Sequence, residues 1–480
     1  MTTNDERLGA SITRNSSVFF FGTVLDKIFS FIAIVLITRY LGEEEFGIFN
    51  YALVYISFFA VLIDFGTESI LIREISRNPK DDEILVGNNV LMKLFLTGTA
   101  IIFSFVITKF VDFGYEKEIL IYIMLINLIF SPKLPTLKNS FEAGFKVRIR
   151  VGFPVLMNIL GSVVLLIAVI IIIHLKGSIR LITLGYVLSG LPGLVLLFWK
   201  SRKIIMPKFS IDFNIWRYFL KESFPLAFYG ILLSLSNRMD VLMLSWMKGD
   251  AEVGYYAAAF RLILPLSFIP VALVVSLLPV ISKLYHEKDE TLSRIYQFSL
   301  KIMFCLSIPI AVLIYTASER IIDIIYTSRY YPSTAGLKIL IISQIFLFLN
   351  VIMNHFIISI GKQLKGLYVV GGMVIINFIL NIFLIPKYGL VGASLATVIT
   401  EFSALIMWIN FTKGFLKDFP LLSLLKIIIL NVIGIVFIRL TVEEYFYFSI
   451  IGFLIIQFLL ILAFKIFSRE EISEFKVSLR

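Results

Sequence analysis

One cysteine and three histidines occur in 480 residues, and only 16% of the chain is charged. With Cys305 alone, an intramolecular disulfide and a thiolate metal cluster are both excluded. His174, His286 and His355 are scattered and show no ligand spacing. Soluble domains carry about a quarter of their residues as charges, so an ordinary soluble enzyme of this length is excluded by its missing polar surface. Low-complexity runs are also missing, and 46 phenylalanines exclude a disordered chain. A GxxxxGK[ST] phosphate loop is absent, which removes ATP hydrolysis by that route.

What remains is apolar: 59% of the residues, with a mean hydropathy of +0.93. A bilayer core of about 30 Å takes about 20 helical residues to cross. Runs of that length lie at 16–38, 47–71, 86–108, 118–141, 151–174, 179–199, 219–247, 253–282, 292–317, 335–360, 364–385, 388–412, 421–440 and 445–467. These predict an all-α integral membrane protein with about 14 transmembrane helices. They lack the alternation of barrel strands. The first run follows Asp5, Glu6 and Arg7 and has no small-residue cleavage site, so it reads as a retained span.

The net charge of +11 would suggest nucleic acid in a soluble protein. In a membrane protein, Lys and Arg collect in cytoplasmic loops. With both termini placed inside, the inside segments hold 26 Lys and Arg and the outside segments 10. That bias places the chain in the cytoplasmic membrane as a multi-pass protein with cytoplasmic termini and no nucleic-acid partner. The longest loop, around 200–218, is basic and cytoplasmic. It divides the chain into an N-lobe (1–200), an inter-lobe loop (201–218), a C-lobe (219–413), and helices 13 and 14 with a cytoplasmic tail (414–480).

The two six-helix lobes repeat each other weakly. A shift of 207 places Glu45, Gly47 and Ala52 on Glu252, Gly254 and Ala259. A shift of 208 places Lys93 on Lys301, and with further drift Gly144 meets Gly361 and Asn158 meets Asn377. Equal helix numbers make the halves parallel repeats about an axis along the membrane normal, a plan used by two-lobed transporters.

The segment RYLGEEEFGIFNYALVYISFFAVLIDFGTESILIREI (Arg39 to Ile75) resembles the start of polysaccharide exporters of the multidrug/oligosaccharidyl-lipid/polysaccharide (MOP) superfamily. NFILNIFLIPKYGLVGASLATVITE (Asn377 to Glu401) resembles that family's join of helices 11 and 12. The resemblance covers nearly the whole chain. It implies a MATE-like V-shaped fold and a Wzx-type flippase moving a polyprenyl-pyrophosphate-linked oligosaccharide to the outer leaflet. Helices 1, 2, 7 and 8 would line the cleft. Partners would be the lipid-linked oligosaccharide, membrane lipids, and glycan polymerases or transferases. No cofactor is expected, although proton or sodium coupling fits. The lipid II flippase is a sister branch; it usually carries several arginines in its first two helices, whereas helix 1 here has Lys27 and the flanking Arg39.

An ionisable residue within the membrane needs a wet cavity or a partner. Helix 1 carries Asp26 and Lys27, helix 7 Arg238 and Asp240, and helix 8 Arg261. Under the repeat, Lys27 and Arg238 share one face, and Asp26 and Asp240 another. With the cleft implied by the resemblance, Lys27, Arg238 and Arg261 would form a cationic floor for pyrophosphate, with Asp26 and Asp240 beside them. Arg brings a planar fork and Lys a point charge to phosphate oxygens. The alternative is that Asp26–Lys27 and Arg238–Asp240 are neutralising pairs that hold helices together. Asp64 and Glu68, four apart, would share one face of helix 2 and bind a coupling ion or a neighbouring helix. Arg39, Arg73, Lys93 and Lys301 are expected to snorkel to the interfaces. Asn158 and Asn377 read as helix–helix hydrogen bonds rather than glycan contacts. Pro225, Pro265, Pro270, Pro279 and Pro309 predict kinks in helices 7 to 9.

Two other functions compete. A cation-coupled drug extruder of the same superfamily would use Asp64 and Glu68. A membrane glycan polymerase or transferase would need an acid or base in a sizeable extramembrane loop or a metal-binding acidic motif; no outside loop exceeds about 20 residues, and the sequence shows no such motif. The glycan, its lipid carrier, the energy source and the oligomeric state cannot be read from the sequence.

Overall fold

A computed structural model describes residues 3–131, 134–148, 151–287, 291–413, 419–441, 446–464, 466–468 and 471. The C-terminal tail after 471, and the loop cations Arg150, Lys288 and Lys417 counted above, lie outside the described residues. All of the secondary structure among the described residues is helical or a short turn, apart from one isolated bridge position at Lys413.

The chain divides into two compact units, Met1–Arg238 and Met239–Arg480. The first holds α1 (Thr3–Asp64), α2 (Thr67–Arg77), α3 (Asp82–Phe110), α4 (Tyr115–Leu125), α5 (Asn127–Phe130), α6 (Leu137–Val147), α7 (Gly152–His174), α8 (Ile179–Leu188) and α9 (Leu191–Ser201). The division falls inside α10 (Phe213–Lys248). The second unit continues with α11 (Asp250–Ile263), α12 (Phe268–His286), α13 (Thr291–Ile325), α14 (Ser333–Ser359), α15 (Gln363–Tyr388), α16 (Leu390–Thr412), α17 (Leu421–Thr441) and α18 (Phe446–Ala463). Ten segments among the described residues are long and apolar enough to cross a membrane. Together with the relatives described below, they establish a multi-pass membrane protein.

Several expected spans are interrupted where local chemistry demands it. The first two merge into α1, bent at Gly42, whose φ of 77° and ψ of −178° lie in a region only glycine enters readily. Gly249 (φ 92°, ψ 179°) bends the chain the same way just before α11, and it stands 207 residues beyond Gly42. The repeat therefore extends to a backbone kink as well as to matched side chains. The span expected at 118–141 is instead α4, α5 and α6. The sequence there reads Ser-Pro-Lys-Leu-Pro, and prolines 132 and 135 cannot donate to a helical ladder. The span expected at 253–282 is broken by a 3₁₀ turn, Leu264–Ser267, containing Pro265. Pro225 and Pro309, by contrast, lie inside the uninterrupted helices α10 and α13.

In the first unit α1 packs along α7 and also touches α3, α4 and α8, while α2 packs on α6. Ile70, Leu71, Phe141, Phe145, Leu197 and Phe219 are buried together there. In the second, α14 lies between α13 and α16, and α15 packs on α16. Leu300, Phe304, Phe348, Met353, Phe356 and Trp408 fill that core. Phe95, Phe103, Ile375 and Ile429 are among many large apolar side chains left exposed, as lipid-facing surface requires.

Candidate functional site

The charged residues singled out in the sequence fall into three environments. The first is a set of ion pairs in the first unit. Lys93, fully buried in α3, places its Nζ 2.6 Å from Asp64 Oδ1. Glu68 accepts hydrogen bonds from Asn139 Nδ2 at 2.6 Å and from Lys146 Nζ. Lys146 also meets Glu142 at 3.1 Å, and Glu142 meets Lys138 at 3.2 Å. Lys138 in turn donates to Asn158 on α7, a helix–helix contact as expected for that asparagine.

Two expectations are corrected here. Lys93 does not snorkel, because α3 holds its ammonium inside the unit beside a carboxylate. Lys301 likewise pairs at 2.6 Å with Glu471 and is largely buried. Asp64 and Glu68 do not share a helix face. Phe65 (φ 48°) and Gly66 (φ 71°) take left-handed conformations between them, ending α1 and starting α2 on a new axis. The two acids therefore meet different lysines, Lys93 and Lys146.

The second environment surrounds Asp26. It is buried on α1 and accepts a hydrogen bond from the Ser162 hydroxyl of α7, which also lies 2.8 Å from Ser30 Oγ. Lys27, the next residue, is exposed. Asp26 and Lys27 thus differ in burial although they are consecutive.

The third environment surrounds Asp240, 3% exposed on α10. Its Oδ1 accepts from Asn381 Nδ2 at 2.6 Å. Its Oδ2 accepts from the Tyr256 hydroxyl at 2.8 Å and from Thr397 Oγ1 at 2.9 Å. Asn381 also donates to Asn377 Oδ1, 2.9 Å away. The acid expected beside Arg238 is thus held by neutral groups of α11, α15 and α16. The Asp240 carboxylate is satisfied by two hydroxyl donors and one amide N–H donor, each of them uncharged. Arg238 closes the first unit and Arg261 lies near the end of α11 in the second; both are half-buried.

Asn381, Thr397 and Tyr256 are contributors that charge-based reasoning passed over. The available signal was two asparagines at i and i+4 in an otherwise apolar helix, which put both amides on one face.

Two further features frame these groups. Glu252 Oε2 accepts from the Leu390 backbone N–H at 2.6 Å, so a carboxylate caps the start of α16 where the helix dipole is positive. Gly389, with φ at +56°, lets it approach, since any side chain there would collide with Glu252. A recess of about 660 Å³ opens among α13, α14, α16 and α17. Phe304, Phe346, Phe402 and Ile428 line it, with Lys413 as its cation. Outside the membrane-spanning segments, the hydrogen-bonded Arg180 guanidinium holds the Glu116 carboxyl below its usual range.

Comparison with known proteins decides what this architecture belongs to. The sequence profile of the family described as polysaccharide biosynthesis protein matches residues 12–285, more than half of the chain. The chain belongs to this family. The MatE profile matches residues 225–383. Capsular polysaccharide biosynthesis protein CapF of Staphylococcus aureus is 23% identical over 414 residues, covering 84% of this chain and 99% of that protein. "Probable low-salt glycan biosynthesis flippase Agl15" of Haloferax volcanii is 22% identical, covering 85% of this chain and 84% of that one. Among solved structures, lipid II flippase MurJ in an inward closed conformation superposes with a TM-score of 0.80 at 19% identity, covering 93% of this chain and 98% of MurJ. The chain therefore shares its fold with MurJ, and the family expected from the Arg39–Ile75 and Asn377–Glu401 segments is the one found.

Proposed function

We propose that this protein is a flippase that carries a polyprenyl-(pyro)phosphate-linked oligosaccharide from the cytoplasmic to the outer leaflet of the cytoplasmic membrane by alternating access. The observation that carries this reading is the polysaccharide biosynthesis match over residues 12–285, with glycan-exporting relatives aligned along most of the chain. The bias of 26 inside cations to 10 outside supports cytoplasmic termini. Lys27, Arg238 and Arg261 are the cations assigned to the pyrophosphate, whose charge must be compensated once it leaves water. Asp26 precedes Lys27 on α1 and, held by the Ser162 hydroxyl of α7, fixes that stretch of the helix. The apolar recess in the second unit suits a prenyl chain. Glycan polymerases or transferases would take the product at the outer face.

Coupling to a cation is assigned to Asp240 in place of Asp64 and Glu68. A proton or a sodium ion would neutralise Asp240, whereas the lysines already neutralise the other two.

Arg238→Ala and Arg261→Ala should insert normally and lose glycan export, with the lipid-linked precursor accumulating on the cytoplasmic face. Normal surface glycan at normal protein levels in both variants would remove the site assignment. The alternative cargo is lipid II, named for a relative 29% identical over 165 residues. Depletion separates the two: accumulation of lipid II rather than a surface-glycan precursor would select it. Drug efflux from vesicles without any glycan phenotype would select an extruder.

A further inference from the structure

Glu401 sits near the middle of α16, 8% exposed, in a span with no other acidic or basic residue. Its partner is Asn350 of α14. Asn350 Nδ2 donates to Glu401 Oε2 at 2.7 Å and to the Glu401 backbone carbonyl at 3.0 Å. Among the described residues, Glu401 makes no ion pair with any lysine or arginine, so a charge there would be uncompensated within the membrane. Asn350 is itself 7% exposed, and its Oδ1 is buried without a hydrogen-bond donor. The neighbouring Thr400 hydroxyl is in the same position.

A carboxylate offers only acceptors, whereas a protonated carboxyl also donates. A proton on Glu401 would supply the donor that Asn350 Oδ1 lacks. The primary amide and the acid would then bond reciprocally, N–H to C=O and O–H to C=O.

α16 packs against α11, α14 and α15, and the titratable groups of those helices are engaged elsewhere. On α14, His355 Nδ1 bonds the Val351 carbonyl and Lys338 pairs with Glu319. On α15, Lys365 donates to the Phe411 carbonyl, while Tyr368, Lys387 and Tyr388 are exposed. On α11, Glu252 caps Leu390, Tyr256 bonds Asp240, Asp250 accepts from Ser245, Tyr255 packs edge-on against Tyr330, and Arg261 lies near Tyr326.

We propose that Glu401 is a proton-binding site, distinct from Asp240, that holds its proton at neutral pH in a reciprocal acid–amide pair with Asn350 and so fastens α16 to α14. Loss of the proton leaves Asn350 Oδ1 without a donor and places a charge in the helix contact, giving the second unit a pH-sensitive joint. The proposal does not depend on the cargo.

The test is infrared spectroscopy of the full-length protein reconstituted in lipid. At pH 7 the wild type should show a protonated-carboxyl C=O band that Glu401→Gln removes and Asn350→Leu shifts. Absence of a Glu401-dependent band at pH 7 would overturn the proposal, and so would a band unmoved by Asn350→Leu. Thermal unfolding gives an independent readout. A group protonated when folded and ionised when unfolded stabilises less as pH rises between its two pKa values. The melting temperature of Glu401→Gln relative to wild type should therefore climb from pH 5 to pH 8. A pH-independent difference would mean that Glu401 is ionised in the folded protein.

Discussion

Buried acids in the two units are neutralised by different means. In the first, buried Glu142 and half-buried Asp64 and Glu68 each face a lysine and buried Glu74 faces Arg73; Asp26, held by Ser162, is an exception. In the second, Asp240 and Glu401 face hydroxyls and amides. The second unit has an ion pair too, but Lys301 draws its acid from the C-terminal segment and leaves both of these acids untouched. The difference bears on what each unit can do. A carboxylate fastened to a lysine already has its charge compensated, and adding a cation there means displacing a covalently tethered one. A carboxylate among neutral oxygens and amides is neutralised only by something that arrives and leaves. Fixed pairs hold helices together, whereas open acids allow the bound state to change the packing.

The largest effect that bears on this contrast is expected from breaking a fixed pair. Lys93→Ala strands Asp64 within the first unit, and such breaks cost about 3–5 kcal/mol. Replacing both partners at once, Lys93→Met with Asp64→Leu, should restore most of that loss. Thermal unfolding in detergent measures both. A single variant as stable as wild type would show that the pair is dispensable and that the two units do not differ in kind.

Asp240→Asn tests the other side. The amide keeps the shape, and the protein should remain folded and inserted. Transport should fall by about tenfold, within the roughly 1–3 kcal/mol typical of coupling between sites. It should also cease to respond to an imposed ion gradient. Unchanged gradient dependence in vesicles would return the coupling role to the first unit and erase the comparison.

Much of the fold was legible from one dimension. Helix length and apolarity are local properties, so the spans and the membrane class follow from runs of residues alone. Breaks were less legible, because Gly42 permits a bend without requiring one. Proline was no surer a guide: the span expected at 118–141 runs through prolines 132 and 135, where the helix is in fact broken, whereas Pro225 and Pro309 lie inside unbroken helices. The site was legible by residue type but not by partner. Asp64 and Glu68 looked like neighbours because a continuous helix was assumed, and the left-handed Phe65–Gly66 turn separates them. Asp240 meets Asn381 across 141 positions of sequence, and Asn350 meets Glu401 across 51. Such pairings arise from helix packing, which no spacing rule encodes. The family segment Asn377–Glu401 contains Asn377, Asn381, Thr397 and Glu401, but of these only Asn377 stands out in the sequence reading.

The smallest predicted effect sharpens the comparison by asking whether ion pairing or burial gives the first unit its rigidity. Glu116 and Arg180 pair at the surface of that unit, with both side chains substantially exposed. The arginine lowers the Glu116 pKa. A lowered pKa means that the pair stabilises above the unfolded carboxyl value of about 4.3, and that this contribution disappears as pH falls through the folded value. The melting temperature of wild type should therefore exceed that of Glu116→Gln by a small constant amount from pH 7 down to about pH 5, and the two should converge below the folded value. Added salt should shrink the gap, because water and ions screen an exposed pair. A gap as large as that of Lys93→Ala, or one that survives at low pH and high salt, would mean that pairing alone supplies the rigidity. A small, screened gap would assign it to the exclusion of water around Lys93 and Asp64.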